Sequence, residues 1–260
     1  MKEVITSSKN PQLKNISQLL KQKKDRDEQK RFVIEGFRIV KDACIYAPEL
    51  IRTVYVSEDF DMAQLPCLPK NADTEVVKTT VFEGISGTVS TQGILAVVEQ
   101  PEYTLEEILE AGNGEKAKYL ILEDIQDPGN LGTMIRTAEA AGITAVIMSK
   151  GTADIFNPKV TRATMGSCFR VPFIYAEDFD GVLKSVKSRG VTVYGAYLRG
   201  GQNFRDTVFA DRCAIMIGNE GNGLTDEAVA LADKRVFIPM EGKIESLNAA
   251  VAAAILMYSI

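Results

Sequence analysis

The sequence predicts two consecutive α/β domains, the second built on a parallel, doubly wound sheet, and three observations lead there. Short apolar segments alternate with helix-period segments along the chain, as strands and their covering helices do. The alternation is interrupted at residues 101–117, PEYTLEEILEAGNGEKA, where acids, a proline and a Gly-Asn-Gly stand instead. Beyond that break the strand candidates are apolar runs such as YLILEDI and CAIMIG, as expected of strands covered on both faces. The expected organisation is a small domain over residues 1–100, a linker over 101–117 and a larger domain over 118–260.

In chain order, Asn10-Pro11 opens a segment with Leu13, Ile16, Leu19 and Leu20 at helical spacing. It is expected to run as one basic amphipathic helix to about Arg31. RFVIEG reads as a strand, Phe37 to Tyr46 as a helix, and IRTVYVS as a strand. TEVVKTT, Val81 to Gly87 and QGILAVVEQ then give a strand, a short helix and a strand. In the second domain YLILEDI is a strand, and LGTMIRTAEAAG a helix with Asn130 as its expected N-cap and Gly142 at its end. ITAVIMSK, VPFIYA, VTVYGAYL, CAIMIG and RVFIP follow as strands, with helices near Phe179 to Arg189 and Thr225 to Ala232. The last 15 residues, from Ser246, carry no formal charge. A helix of that composition must be buried against its own chain or a partner, and Ser246 is its expected N-cap.

Composition narrows the function classes. The 260 residues are 45% hydrophobic and 25% charged, ordinary for a globular protein with real cores. No secretory signal or bilayer-spanning run is expected. Four cysteines, Cys44, Cys67, Cys168 and Cys213, form no CxxC pair and suit reduced thiols in a cytoplasmic protein. There is no histidine, which removes the commonest metal ligand and the usual general base near neutral pH, and no metal is expected. The net charge is −5, yet residues 1–31 hold nine Lys or Arg against four acids. Such a local cation suits a polyanion, although a solvated helix face has the same composition.

In doubly wound sheets ligands bind beyond the C-terminal strand ends. Three such loops are polar and glycine-bearing: Asp127 to Gly132 with Arg136 following in its helix, Gly218 to Gly223, and Met240 to Asn248. The Walker phosphate-loop pattern is absent, and Gly218 to Gly223 spells GxxGxG rather than the dinucleotide fingerprint. Backbone amides, the apolar Ile238, Met240 and Leu247, and the carboxylate of Glu220 would suit an adenosine with a small charged tail.

The segments NLGTMIRTAEAAG, IGNEGNGL and IPMEGKIESLNAAVAAAILMY, in that order, resemble the three signature motifs of the SpoU (TrmH-type) RNA 2'-O-ribose methyltransferases of the SPOUT superfamily. Residues from about Phe32 to Pro101 are similar to the ribosomal-protein-like RNA-binding domain that many members carry. The resemblance implies an enzyme dependent on S-adenosyl-L-methionine (AdoMet), a C-terminal trefoil knot and a homodimer in the cytoplasm. It implies ribosomal RNA as substrate, with transfer RNA, or a noncatalytic RNA-binding role, as alternatives. Cofactor contacts are expected from Gly218, Asn219, Glu220, Ile238, Met240, Ser246, Leu247 and Asn248. The catalytic set expected is Asn130, Arg136, Glu220, Ser246 and Asn248. A guanidinium holds its proton far above neutral pH, so Arg136 is expected to orient a phosphate and steady a developing alkoxide. Glu220 is the expected proton acceptor, with Asn130, Ser246 and Asn248 fixing geometry.

Overall fold

A computed structural model describes residues 3–88 and 91–260, and in it the chain forms two units. The first comprises the residues up to Pro101 together with Asp154–Arg170; the second comprises Glu102–Ala153 and Val171–Ile260.

The first unit begins with α1 (Pro11–Lys21), capped by Asn10, whose side chain accepts from Gln12 N at 2.8 Å. The single helix expected to Arg31 is two. The backbone is extended at Gln22 (φ −120°, ψ 121°), and α2 (Lys23–Gln29) starts after it. The break leaves carbonyls at the end of α1 without helical partners, and buried Arg26 uses one of them, donating from Nη1 to Leu19 O at 2.7 Å. Leu13, Ile16 and Leu19 are fully buried. The basic segment is therefore a packed wall of the unit that presents Lys14, Lys21, Lys23 and Lys24 outward.

The remaining elements are β1 (Arg31–Glu35), α3 (Phe37–Tyr46), β2 (Ile51–Ser57), β3 (Asp73–Val77), α4 (Thr79–Ile85) and β4 (Ile94–Glu99). The sheet order is β1-β4-β2-β3, with β4 antiparallel to both neighbours and β2 parallel to β3. Val33, Tyr55, Leu95 and Val97 meet Leu13, Ile16, Phe82 and Ile85 in its core.

In the second unit, residues 105–111 of the expected linker form helix α5 (Leu105–Ala111). Thr104 and Glu107 make a reciprocal capping box, and Ile108 and Leu109 are buried in the unit's core. The Thr-Leu-Glu-Glu signature was present in the sequence but was outweighed by the neighbouring proline and glycines. Then come β5 (Ala117–Leu122), α6 (Pro128–Ala140), β6 (Ala145–Ser149), β7 (Phe173–Ala176), α8 (Phe179–Ser188), β8 (Thr192–Ala196), β9 (Gln202–Asn203), β10 (Arg212–Ile217), α9 (Asp226–Leu231), β11 (Lys234–Phe237) and α10 (Ala249–Met257), while α7 (Pro158–Thr164), between β6 and β7 in the chain, belongs to the first unit. Seven strands in the order β7-β6-β5-β10-β8-β11-β9, all parallel, make the sheet. The alternation of strand and helix is as the sequence predicted. The two-residue β9 was missed, being too short to show a period.

Residues 154–170, which the expected boundaries place in the second domain, cluster with the first unit. The rings of Phe156 and Phe169 lie 4.8 and 6.2 Å from that of Phe32. Asp154 Oδ2 accepts from Arg26 Nε and Nη2 at 3.0 and 2.6 Å, and Arg170 Nη1 reaches Asp42 at 3.1 Å. Among the described residues no helix is long and apolar enough to cross a membrane, and no group of acids or cysteines is placed to hold a metal.

Candidate functional site

β5 and β10 are adjacent parallel strands near the middle of the sheet, so the loops leaving their C-terminal ends lie side by side. The loop after β10 doubles back on itself: Gly223 N donates to Asn219 O at 2.9 Å. A Cβ on Gly218 would overlap the backbone of Gly223 and Leu224. Gly223 has φ +71°, which an L side chain disfavours. Two of the glycines in GxxGxG are thus required by the fold of the loop. Asn219 Oδ1 accepts from Gly221 N and Asn222 N at 3.0 and 3.1 Å, while Nδ2 donates to Asp124 O at 2.8 Å. Its side chain shapes this loop and ties it to the one after β5.

Glu220 makes the stronger tie. Oε1 accepts from Asp127 N at 2.9 Å and Asn130 Nδ2 at 3.0 Å, and Oε2 from Gln126 N at 3.0 Å. Partial burial pushes the Glu220 carboxyl up, but the hydrogen bonds from Asn130 and from the Gln126 and Asp127 amides outweigh it and hold the group below the usual carboxylate range. A carboxylate committed to three N–H donors, with its negative charge stabilised, is a weak proton acceptor. In this arrangement Glu220 holds the two loops together.

Asn130 is not the N-cap of α6. Asp127 is, its Oδ1 accepting from Asn130 N at 2.8 Å, with Pro128 in the first turn. That frees the Asn130 side chain to donate to Glu220 and accept from Asn248 Nδ2 at 2.9 Å. Ser246, expected to cap the last helix, is also displaced from that role. Asn248 caps α10, with Oδ1 accepting from Ala250 N at 2.9 Å and Val251 N at 3.3 Å. The reason is local: two more residues of loop are needed before the chain turns into the helix, and Asn caps as well as Ser. Asn248, Asn130 and Glu220 form one chain of hydrogen bonds joining all three loops that the sequence singled out.

Beside this chain lies a cavity of about 590 Å³, in the range of small-molecule sites. Of the expected cofactor residues, Gly218, Asn219, Glu220, Ile238, Met240, Ser246 and Leu247 line it and Asn248 does not. Ala196, Tyr197 and Leu198 after β8 also line it. The sequence reading places Tyr197 and Leu198 inside the strand VTVYGAYL, whereas β8 ends at Ala196 and the chain leaves the sheet there, toward Arg199-Gly200-Gly201. The apolar side chains of Ile217, Ile238, Met240 and Leu247, with the backbone groups of residues 218–223, suit a flat heteroaromatic base carrying a polar tail. Arg136 neither lines the cavity nor has a partner among the described residues; it is exposed two turns along α6 from the Asn130 junction.

Comparison with known proteins supports a family. Residues 117–258 match the SpoU rRNA Methylase family, and residues 10–96 match the MRM3-like substrate binding domain. The chain is 35% identical over 255 residues to the 23S rRNA (guanosine(2553)-2'-O)-methyltransferase RlmP of Bacillus subtilis, covering 98% of this chain and 97% of that one. An AdoMet-bound rRNA methyltransferase from Sinorhizobium meliloti superposes with a TM-score of 0.89 at 31% identity, over 99% of this chain and 96% of that one. The SpoU methyltransferase AviRb from Streptomyces viridochromogenes, in complex with AdoMet, superposes with a TM-score of 0.85 at 27% identity, over 96% and 97%.

Proposed function

Because the chain belongs to the SpoU rRNA Methylase family, we propose that it transfers a methyl group from AdoMet to a ribose 2'-hydroxyl of RNA, with ribosomal RNA as the substrate. One observation carries the assignment of the site: a 590 Å³ cavity framed by residues 218–223 and 238–247, whose loops are joined through Asn248, Asn130 and Glu220. The residues present fit AdoMet. Ile238, Met240 and Leu247 would pack its adenosine, and the backbone of residues 218–223 would meet its polar groups. When bound, AdoMet supplies an electrophilic methyl group for in-line displacement.

The chain's own part is alignment and charge stabilisation. Glu220 fixes the loop after β10 against the start of α6, and Asn130 and Asn248 extend that lock to the start of α10. Arg136 is exposed and uncommitted, so its guanidinium is available to grip an RNA phosphate and steady the charge that develops on the ribose oxygen as the hydroxyl proton passes to solvent water. Ser246 borders the cavity with its hydroxyl exposed and serves as a positioning donor. Arg136→Ala is expected to lower single-turnover methylation about 100-fold, the usual effect of removing one charge-stabilising donor, with AdoMet affinity unchanged. Arg136→Lys should recover part of the rate. Weakened AdoMet binding in either variant would contradict the assignment.

The first unit is the RNA-binding part in this reading, supported by its match to a substrate-binding family and its outward lysines. The reading also includes a cytoplasmic location, a knotted C-terminus and a homodimer. For the knot, the support is that the chain leaves β11 and returns to pack α10 on α6 and β10. For the dimer, it is that α10 buries Ala250, Ala253, Leu256 and Met257 within one chain yet exposes Val251 and Tyr258, at 48% and 65%. Val251→Asp is expected to yield monomers by sedimentation velocity; a fully dimeric variant would remove the interface from this face. Ala253 is fully buried already, so a charge there would test folding rather than assembly.

A further inference from the structure

The first unit contains a separate cavity of about 300 Å³ whose wall includes Glu35, Arg38, Ile39, Arg162 and Met165. Its chemistry turns on a buried carboxylate, Glu35, and on Arg162, whose side chain is 33% exposed but whose Nη1 atom is buried. The Glu35 side chain is 4% exposed, and its carboxylate accepts from Ser86 Oγ, from Thr88 Oγ1 at 2.8 Å and from Gly87 N at 3.0 Å. Arg162 is drawn toward it, but Nη1 stops 3.8 Å from Oε2, beyond hydrogen-bond reach. That Nη1 atom is buried and has no hydrogen-bond partner among the described residues. A buried guanidinium N–H without an acceptor is costly, and natural structures resolve the cost with a bound group or a water.

The rest of the wall favours a bound anion. Arg38 is exposed and uncommitted among the described residues. It lies in the first turn of α3, whose N-cap is Gly36 and therefore offers no side-chain cap. Gln92 Oε1 accepts from Phe37 N at 2.7 Å, and among the described residues no side chain caps the next amides of that turn, at the positive end of the helix. Two guanidinium groups and a helix start thus face the cavity, while the oxygens of its one carboxylate are already engaged by three donors. Ile39 and Met165 add an apolar surface of the kind on which a base packs.

We propose that this cavity receives one unpaired nucleotide of the RNA, its phosphate held by Arg162 and Arg38 and its base laid against Ile39 and Met165. The proposal rests on the reading that this unit binds RNA, and it adds where and in what form. It also gives the inserted segment 154–170 a task, since Arg162 and Met165 come from it.

The test compares two fluorescein-labelled RNA hairpins, identical except that one carries a single bulged nucleotide, bound to the full chain. Arg38→Gln leaves every interaction described here intact and is the variant least able to disturb folding. Arg162→Gln and Arg162→Lys probe the orphaned donor, with thermal unfolding recorded alongside. Each glutamine variant is expected to bind the bulged hairpin about 10-fold more weakly and the paired hairpin less than twofold more weakly. Each should also reduce the salt slope of log K by about 0.7 to 0.9, one phosphate contact. Equal losses on both hairpins, an unchanged slope, or no loss would overturn the subsite, as a site holding only water would predict. Were the unmodified chain to bind neither hairpin and methylate no RNA, the proposed function would fall with it. A chain that binds and methylates RNA while the variants match it would sink the subsite alone.

Discussion

Glu220→Gln is expected to cut methyl-transfer rate about 100-fold and, in the same variant, to weaken AdoMet binding at least 10-fold. The two effects share a cause. Glu220 accepts from Gln126 N, Asp127 N and Asn130 Nδ2, and an amide has only one accepting oxygen. The least damaging orientation keeps the oxygen on Asp127 and Asn130 and turns the NH₂ toward Gln126 N, setting donor against donor. Because these bonds are exposed to water, losing a charge-assisted one costs about 1–2 kcal/mol, enough to loosen the loops after β5 and β10 and spoil the cavity between their ends. A general base would behave differently, since its amide would abolish turnover with AdoMet affinity intact. Calorimetric titration of AdoMet beside single-turnover rates separates the two. Unchanged affinity with no turnover would restore the base role. pH provides a further check. Because the native Glu220 carboxyl is held below its ordinary range, the stability it contributes is complete above an unfolded value of about 4.3. It is lost as pH falls from there through the depressed native value. Binding of AdoMet should accordingly show no loss attributable to this group near neutral pH.

Gly218→Ala is expected to be the most damaging single-methyl change in the second unit. Its Cβ would overlap the carbonyl of Gly223 and the amide of Leu224, and backbone cannot swing aside as a side chain can. The loop must open, breaking the turn in which Gly223 N bonds Asn219 O and displacing Glu220 from its donors. Overpacking of this kind costs about 1–3 kcal/mol, and the floor of the cavity moves with the loop. A lowered thermal midpoint together with AdoMet affinity reduced at least 10-fold is the expected result. Gly221 supplies the control, because an added Cβ there meets nothing closer than Asn219 Oδ1 at 3.5 Å. Gly221→Ala should therefore unfold close to the unmodified midpoint. If both alanines were equally tolerated, the close approach at Gly218 would not be what selects glycine.

Much of the site was legible because its signals are local. GxxGxG marks a loop that must double back, apolar runs mark buried strands, and a terminal helix without charge marks burial. The three loops are legible this way, and seven of the eight residues that motif resemblance assigns to the cofactor line the cavity. Roles were less legible. Ser246 and Asn130 satisfy capping rules as well as their neighbours do, and the choice of Asn248 and Asp127 depended on where each loop entered its helix. Tyr197 and Leu198 read as the end of an apolar strand, and they reach the cavity because β8 stops at Ala196 and lies between β10 and β11.

By itself the sequence determined the order of strands and helices, the positions where glycine is demanded and the uncharged last helix, all properties of residues within a few positions of each other. Only the tertiary structure decided what these residues do together. Glu220 meets donors 90 to 94 residues away, Asn248 meets Asn130 across 118, and Arg26 meets Asp154 across 128. Those pairings are set by strand order and by the packing of residues 154–170 around Phe32, which no short-range period encodes. For that reason Glu220 holds two loops together, and the basic segment expected as one helix is two, packed as a wall of the first unit.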